Sequence, residues 1–600
     1  MSDVSEKIGV CLEKFNSINT ACSYKSKVDW FNEFCVILSD LLMTVANLIK
    51  KSSLDYVKDV KRSLLLYLQQ LTTLLSLLIK IFLHENDIKE MIHEARYFVI
   101  KQLQTCFEGI SLILINDRLN KPNGSFLKYM DLSLDKLSQI NAEINNKNDL
   151  IKNYHAAKDC IEEVLCYAMS IAQVSSIEDS KVIKGNSKAV LEELESLLVE
   201  LNKDEIKINF CNLFIDCCYD KLCVLEKKVN FAVLKLSLKV FCDYTKPVLD
   251  LNNFCLNKEK DEEQFDELII NLDNHVDRIM QVGLFAIAAS PQIKIGIQME
   301  SCLASLEALE GELVPSFNRL LLDPNLQSKN YSYLLEQFWI QQANNLKELI
   351  YNIIDPFAFC QVVYEELKLH IIEINDYLKN ESTKISYSDK FKVIIKENWI
   401  LVDLIGVSIK EMDLDNKKDI EKNLNEVKLI LNEIKSANVL LLVNKSEIEA
   451  NNIQRVFKRV KILKGTVRKL LFSLSNTDLK NDLNSPGGLN DKTDSFFDDD
   501  NKKLNQFVDR GKEILTERSI LYKTPSKKLS TRNCQTSLVK CTKKLDLNRP
   551  MPLLKTIHLR NLHFSYSKVE SDLDSKQSDL QITDILNELD NISSSFSNTF

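Results

Sequence analysis

The chain has 600 residues and a net charge of −8; at about 150 residues per domain that length implies three or four units rather than one core. Only 12 glycines and 10 prolines occur, far below the usual ~7% and ~5%, which excludes a fold of many short strands and tight hairpins in favour of long helices with few connections. The small charge excess also argues against a nucleic-acid partner.

Apolar residues at helical spacing run from about Ser5 to about Ser475. The opening MSDVSEKIGV is polar and raises no expectation of a secretory signal. The 16 cysteines form no C-x-x-C pair and sit inside apolar patterns such as FCNLFIDCCYDKLC, Phe210 to Cys223. Reduced thiols packed as small apolar side chains are the expectation. Leu64 to Leu83, LLLYLQQLTTLLSLLIKIFL, is about long enough to span a bilayer. It carries Gln69, Gln70, Thr72, Thr73, Ser76 and Lys80, so a helix buried at the centre of a bundle is the preferred reading.

Polar stretches at Asn141–Asp149, Ser175–Lys188, Leu251–Gln264 and Lys379–Lys390 are read as breaks. Long helices between short connections predict up-and-down bundles. The best-defined unit begins at Asp273. Val276, Ile279, Met280, Gly283 and Ile287 share one helix face, and Ala286, Ala288 and Ala289 admit a close neighbour. The next helix, SCLASLEALEGELVPSFNRLLLDP, repeats Leu303, Leu306, Leu309, Leu313, Phe317 and Leu320 every three or four residues. It stops at Asp323-Pro324, because proline disfavours the α conformation in the residue before it. A third, from Tyr331, aligns Leu335, Phe338, Trp339, Leu346, Leu349, Ile350 and Ile353 and stops at Asp355-Pro356. These three need at least a fourth helix to close a core.

RVFKRVKILKGTVRK follows farther on, with Arg455, Lys458, Arg459, Lys461, Lys464, Arg468 and Lys469 and no acid. Val456, Val460, Leu463, Val467 and Leu471 form its apolar stripe. The alternatives are a solvated bundle face or a surface for anionic lipid or an acidic partner such as actin. After Ser475 the pattern ends. Pro486-Gly487-Gly488 and the aspartates at 498–500 read as linker or disorder. Leu521 to Lys568 is basic, with Lys527, Lys528, Lys543, Lys544 and Arg549 as further candidates for an anionic surface. The end is acidic and serine-rich. Within it LQITDILNELDNI makes one amphipathic helix through Leu580, Ile585, Leu589 and Ile592.

No G-x-G-x-x-G, G-x-x-x-x-G-K-[ST] or G-x-S-x-G occurs. None of His84, His93, His155, His275, His370, His558 and His563 pairs with another histidine or a cysteine at zinc spacing. The expectation is therefore no catalytic residue, no cofactor and no metal. Three units are expected: bundles sharing long helices over 1–260, further bundles over 261–475, and a low-complexity tail over 476–600, basic at 521–568 and acidic at 570–600.

The stretch from Asp273 to Ile371 resembles the last bundle of the α-catenin middle region. The likeness rests on His275 and Ile279, the alanines at 286, 288 and 289, Ser305-Leu306-Glu307-Ala308-Leu309, Pro324, Trp339 and Phe357. The resemblance implies an all-α fold of tandem bundles of the vinculin/α-catenin type. It further implies a non-enzymatic adaptor with actin filaments or actin-associated proteins as partners. An insect branch of that superfamily is similar in size and lacks the usual C-terminal domain. That likeness implies actin organisation beneath the plasma membrane during cellularisation of the syncytial embryo. Here too, the residues after Ser475 lack the periodicity for a five-helix actin-binding tail. The alternative is a peripheral membrane module acting through its basic segments without actin.

Overall fold

The computed structural model describes residues 2–474 apart from 52–57, 117–124, 143–146, 205, 258–261, 291, 380–386, 410–413 and 444–448. Beyond 474 it describes Ile585, Asn587, Glu588, Leu589 and Asn591. The described residues up to 474 form sixteen α-helices and no strand, so the protein is all-α as expected. The helices group four by four along the chain. The first group holds α1 (Ser2–Phe15), α2 (Tyr24–Lys51), α3 (Lys58–Ile88) and α4 (His93–Asn116), with α1 closing against α4. The second holds α5 (Phe126–Ala142), α6 (Lys147–Val174), α7 (Ile177–Leu201) and α8 (Ile208–Cys242). The third holds α9 (Lys246–Leu256), α10 (Glu262–Ala289), α11 (Ile293–Leu322) and α12 (Leu326–Tyr351). The last holds α13 (Pro356–Lys379), α14 (Tyr387–Ser408), α15 (Leu414–Val443) and α16 (Glu449–Leu474).

The third bundle follows its amphipathic pattern. Leu303, Leu306, Leu309, Leu313, Phe317 and Leu320 of α11 are all buried, as are Phe338, Trp339, Leu346 and Ile350 of α12. A Cβ at Gly283 of α10 would lie 2.6 Å from the Leu303 side chain, so glycine is what lets these two helices approach. The fourth helix the core requires is α9, which packs on α10, α11 and α12. Asp323 ends α11, and Asn325 caps α12 by accepting from the Ser328 amide at 2.8 Å. Pro356 opens α13, where Asp355 accepts from the Ala358 amide at 3.0 Å.

Two helices are buried on almost every side. In α3, Leu64, Leu65, Leu66, Leu68, Leu71, Leu74, Leu75, Leu77 and Leu78 are all buried, which matches the core-helix reading of that stretch. Both α2 and α3 are long and apolar enough to cross a membrane by length and composition, but each packs within the first bundle. In α8, every residue from Ala232 to Leu238 is buried, because the helix passes out of the second bundle and meets α10, α13 and α14.

One expected break is absent. Ser175–Lys188 is not a loop: α7 starts at Ile177 and runs through it. Ser176 caps the helix by accepting from the Asp179 amide at 3.2 Å, and Glu178 and Asp179 lie in the first turn, where acids suit the helix dipole. The polar residues that suggested a loop are the outer face of a helix buried through Ile183, Ser187 and Val190.

The first bundle is pinned by a buried ion cluster. Arg96 of α4 grips Glu85 of α3 with two hydrogen bonds, Nε to Oε1 at 2.8 Å and Nη2 to Oε2 at 2.5 Å. It also donates to the carbonyls of Ile18 and Ala21, at 2.6 and 3.1 Å. Lys27 of α2 adds a second cation 2.8 Å from Glu85. One carboxylate thus ties together α2, α3, α4 and the turn after α1. Burial opposes its charge, but the bonds from Arg96 and Lys27 outweigh that and hold its carboxyl below the usual 4.5.

Two outcomes are expected. Leu309→Asp places an unpaired charge in the third core and unfolds that bundle; wild-type amide protection of α9–α12 in the variant would show the face to be misassigned. Glu85→Ala leaves Arg96 and Lys27 buried without their anion, at a cost of about 3–5 kcal/mol. The loss reads as faster exchange across α1–α4. Because the folded carboxyl titrates below 4.5, the difference from wild type should be full above that pH and shrink as pH falls through the depressed value.

Candidate functional site

The last helix of the body, α16, carries the basic stretch. Its inner stripe is buried through Val456, Val460, Leu463, Val467 and Leu471, with Phe457 and Leu470 beside them, against α13 and α15. The bases are thereby turned outward: Arg455, Lys458, Lys461, Arg468 and Lys469 are exposed, while Arg459 and Lys464 are half-buried on the flanks. Arg455, Lys458, Ile462 and Lys469 fall on one line of the helix.

Part of this charge is spent within the protein. Arg459 donates to Glu433 at 3.2 Å and Lys469 lies 3.6 Å from Glu426, both acids on α15. Lys461 sits over the Phe457 ring at 4.4 Å and Arg468 over Phe472 at 5.4 Å. Arg455, Lys458 and Lys464 have no ion-pair partner among the described residues. Ile462, 58% exposed, stands in the middle of the row. It is the one member of this surface that a search for charge alone passes over; its place outside the buried stripe was legible from the helical period. A face of bases around an apolar tip can take up an anionic layer and insert one side chain into it. Lys527, Lys528, Lys543, Lys544 and Arg549 lie outside the described residues.

A second charged cluster was not foreseen. Lys235 of α8 lies 3.1 Å from Asp179 of α7 and 2.9 Å from Glu366 of α13. Lys239 lies 3.6 Å from Glu366. One helical turn along α13, His370 pairs through Nε2 with Glu397 of α14 at 3.0 Å, and its Nδ1 is 3.9 Å from Glu373. The ligand atoms of Glu366, His370 and Glu397 come within 4.8 Å of one another, but Glu366 is already met by Lys235 and Lys239 and Glu397 by His370. The cluster is an ion network joining the second bundle to the last. A lysine inside FAVLKLSLKVF was its only trace in the sequence. Burial disfavours charge on both Lys235 and His370. The acids around them more than compensate, so both are raised, His370 above its usual 6.5.

The thiols behave as the pattern suggests. Most of the described cysteines are buried in the bundle cores. Burial pushes Cys11 and Cys302 up to about 12, which removes their thiolate character.

The sequence profile of the Serendipity locus alpha protein (SRY-A) family matches residues 1–541. The chain belongs to that family. Serendipity locus protein alpha of Drosophila subobscura is 23% identical over 506 residues, covering 78% of this chain and 84% of that protein. The protein of the same name from Drosophila pseudoobscura pseudoobscura is 23% identical over 508 residues, covering 78% and 85%. Among solved structures, a vinculin homologue from a sponge superposes with a TM-score of 0.54 at 13% identity, over 80% of this chain and 62% of that one. That likeness is one of fold, and it makes the bundles of this Serendipity alpha member vinculin-like. Neither the family nor these relatives are named for a reaction.

The network around His370 gives a signed pH dependence. Its folded value lies above 6.5, so its stabilising charge is complete below pH 6.5 and is lost as pH rises through the folded value. His370→Asn should therefore be less protected than wild type in α13 and α14 at pH 6, with the gap closing as pH rises above 6.5. A gap that does not change with pH would show that Glu397 holds the imidazole by packing alone.

Proposed function

We propose that this protein is a non-enzymatic cytoskeletal adaptor of the vinculin/catenin type. It organises cortical actin at the cytoplasmic face of the plasma membrane during cellularisation of the insect syncytial embryo. The reading is supported by membership of the Serendipity alpha family and by the vinculin-like bundles. The observation that carries it is the outward basic row of α16 around Ile462. Two of its bases, Arg455 and Lys458, have no ion-pair partner among the described residues, and the row lies on the outer surface of the last bundle.

An anionic inner leaflet attracts surface Lys and Arg at about 1 kcal/mol each, within a Debye length of roughly 8 Å at physiological salt. Arg455 and Lys458 together then favour the membrane by about 2 kcal/mol, a factor of roughly thirty in partitioning. The basic segment 521–568 adds to the same attraction. Actin is engaged directly or through actin-associated proteins. A specific observation favours the second reading, a membrane module without actin: an exposed isoleucine ringed by bases suits lipid better than a filament surface.

Full-length protein sedimented with filaments, and separately with vesicles containing phosphatidylserine, tests both readings. The triple variant Arg455→Gln, Lys458→Gln, Lys464→Gln should lose most vesicle binding and its salt dependence. Ile462→Ser should weaken it at every salt concentration. Gln at Lys527, Lys528, Lys543, Lys544 and Arg549 should reduce binding further. Vesicle binding without filament binding, in embryo extract as well as with pure actin, selects the membrane module. Binding to neither removes α16 from the mechanism.

A further inference from the structure

Beyond the body, Ile585 and Leu589 return to it. Ile585 and Leu589, one helical turn apart, are 4% and 1% exposed, whereas Asn587, Glu588 and Asn591 face solvent. Two apolar side chains of a short segment reach such burial only when another surface covers them. For Ile585 that surface is the groove between α3 and α11. Ile585 and Glu588 line one cleft with Leu65 and Gln69 of α3 and Lys294, Ile297 and Gln298 of α11. Gln69 donates to the Glu588 carboxylate at 3.3 Å, across 519 residues of chain. The remaining chemistry agrees: from Gln577 to Phe600 the chain has Asp579, Asp584, Glu588 and Asp590 and no Lys or Arg, and exposed Lys294 stands at the cleft.

We propose that the α3–α11 groove is a docking site for an amphipathic acidic helix, and that the chain's own segment around 585–591 is its built-in occupant. The segment touches the first bundle through Gln69 and the third through Ile297. It therefore acts as a latch in cis over the joint between them. While it is docked the groove is closed to other helices; when it leaves, a helix with apolar residues four apart and acids beside them takes its place. Tethering makes the cis contact intramolecular, so the chain's own segment outcompetes a free peptide of the same sequence.

Hydrogen exchange and peptide binding on the full chain test this. The double variant Ile585→Asp, Leu589→Asp alters the latch and leaves the body helices intact, which an unchanged far-UV circular dichroism spectrum confirms. In wild type, amides of 585–591 should be protected; in the variant that protection is lost, and Leu65–Thr73 and Lys294–Gln298 exchange faster. A fluorescein-labelled peptide of residues 578–594 should bind the variant saturably and wild type at least tenfold more weakly. The same peptide carrying both aspartates should bind neither. Gln69→Glu, which sets a carboxylate against Glu588, should reduce latch protection and peptide binding together. Unprotected 585–591 in wild type overturns the cis occupancy. Equal peptide binding to both proteins, or none to the variant, overturns the site. Latch protection that appears only at concentrations where wild type sediments as a dimer transfers the occupant to a second copy and overturns the cis latch.

Discussion

Gln70 lies fully buried in α3, and both ends of its amide are taken up by serines of α11. Ser301 Oγ donates to its Oε1 at 2.7 Å, and its Nε2 donates to Ser305 Oγ at 2.9 Å. A buried amide left without partners costs about 1–3 kcal/mol, and α3 is otherwise so apolar that a free face would have to be covered. Both demands are met by the same neighbour. The third bundle therefore sits against the first in one register, fixed by a pairing across 235 residues of chain. The groove that receives Ile585 lies along this joint, because α3 and α11 are held side by side there.

The joint differs from the interiors it connects. Inside the bundles the contacts are mainly leucine, isoleucine, valine and phenylalanine, with the Arg96–Glu85–Lys27 cluster as the ionic exception in the first. Across the joint, the hydrogen bonds and ion pairs include Arg62 with Glu300, Lys80 with Gln341, Arg319 with Glu94, and Gln327 with Glu90. Partly exposed pairs of this kind contribute about 0–1 kcal/mol each, whereas one fully buried leucine is worth about 1.5–3 kcal/mol. The bundles hold together more firmly within themselves than these surface pairs hold one to another. The buried Gln70 amide is the specific element in a contact whose rim is weak.

What the sequence discloses follows from the range of each interaction. A helix such as α11 has one neighbour-facing stripe, so Leu303 to Leu320 could be read directly at a period of 3.6. Its C-terminal end was legible too, because Asp323-Pro324 acts locally; α12 instead stops at Tyr351, short of Asp355-Pro356. In α3 and the second half of α8 apolar residues occupy every face. The pattern announces burial there but not the partner. Polar composition misled at Ser175–Lys188, where a local cap at Ser176 and buried residues at Ile183 and Val190 outweigh the appearance of a loop. The bases of α16 were legible as spacing. The network of Lys235, Glu366, His370 and Glu397 was not, because its members come from three helices whose adjacency no local rule supplies.

Charge is thus used in two ways, and burial separates them. Lys235 and Glu85 are inside, where an unpaired ion is costly, so each is matched by opposite charges and fixes which helices meet. Arg455 and Lys458 are outside, where water solvates them cheaply and no internal acid is required. Charges of the first kind define the shape of the body and are not available to a partner without breaking it. Those of the second kind can be neutralised by an external anion with no change to the core, since the α16 stripe from Val456 to Leu471 is satisfied independently. The latch segment combines both conditions. Glu588 stays in solvent while Ile585 and Leu589 are covered, so among the described residues the contact is two apolar side chains and one hydrogen bond. That is small enough to be reversible, and it is placed where the first and third bundles meet.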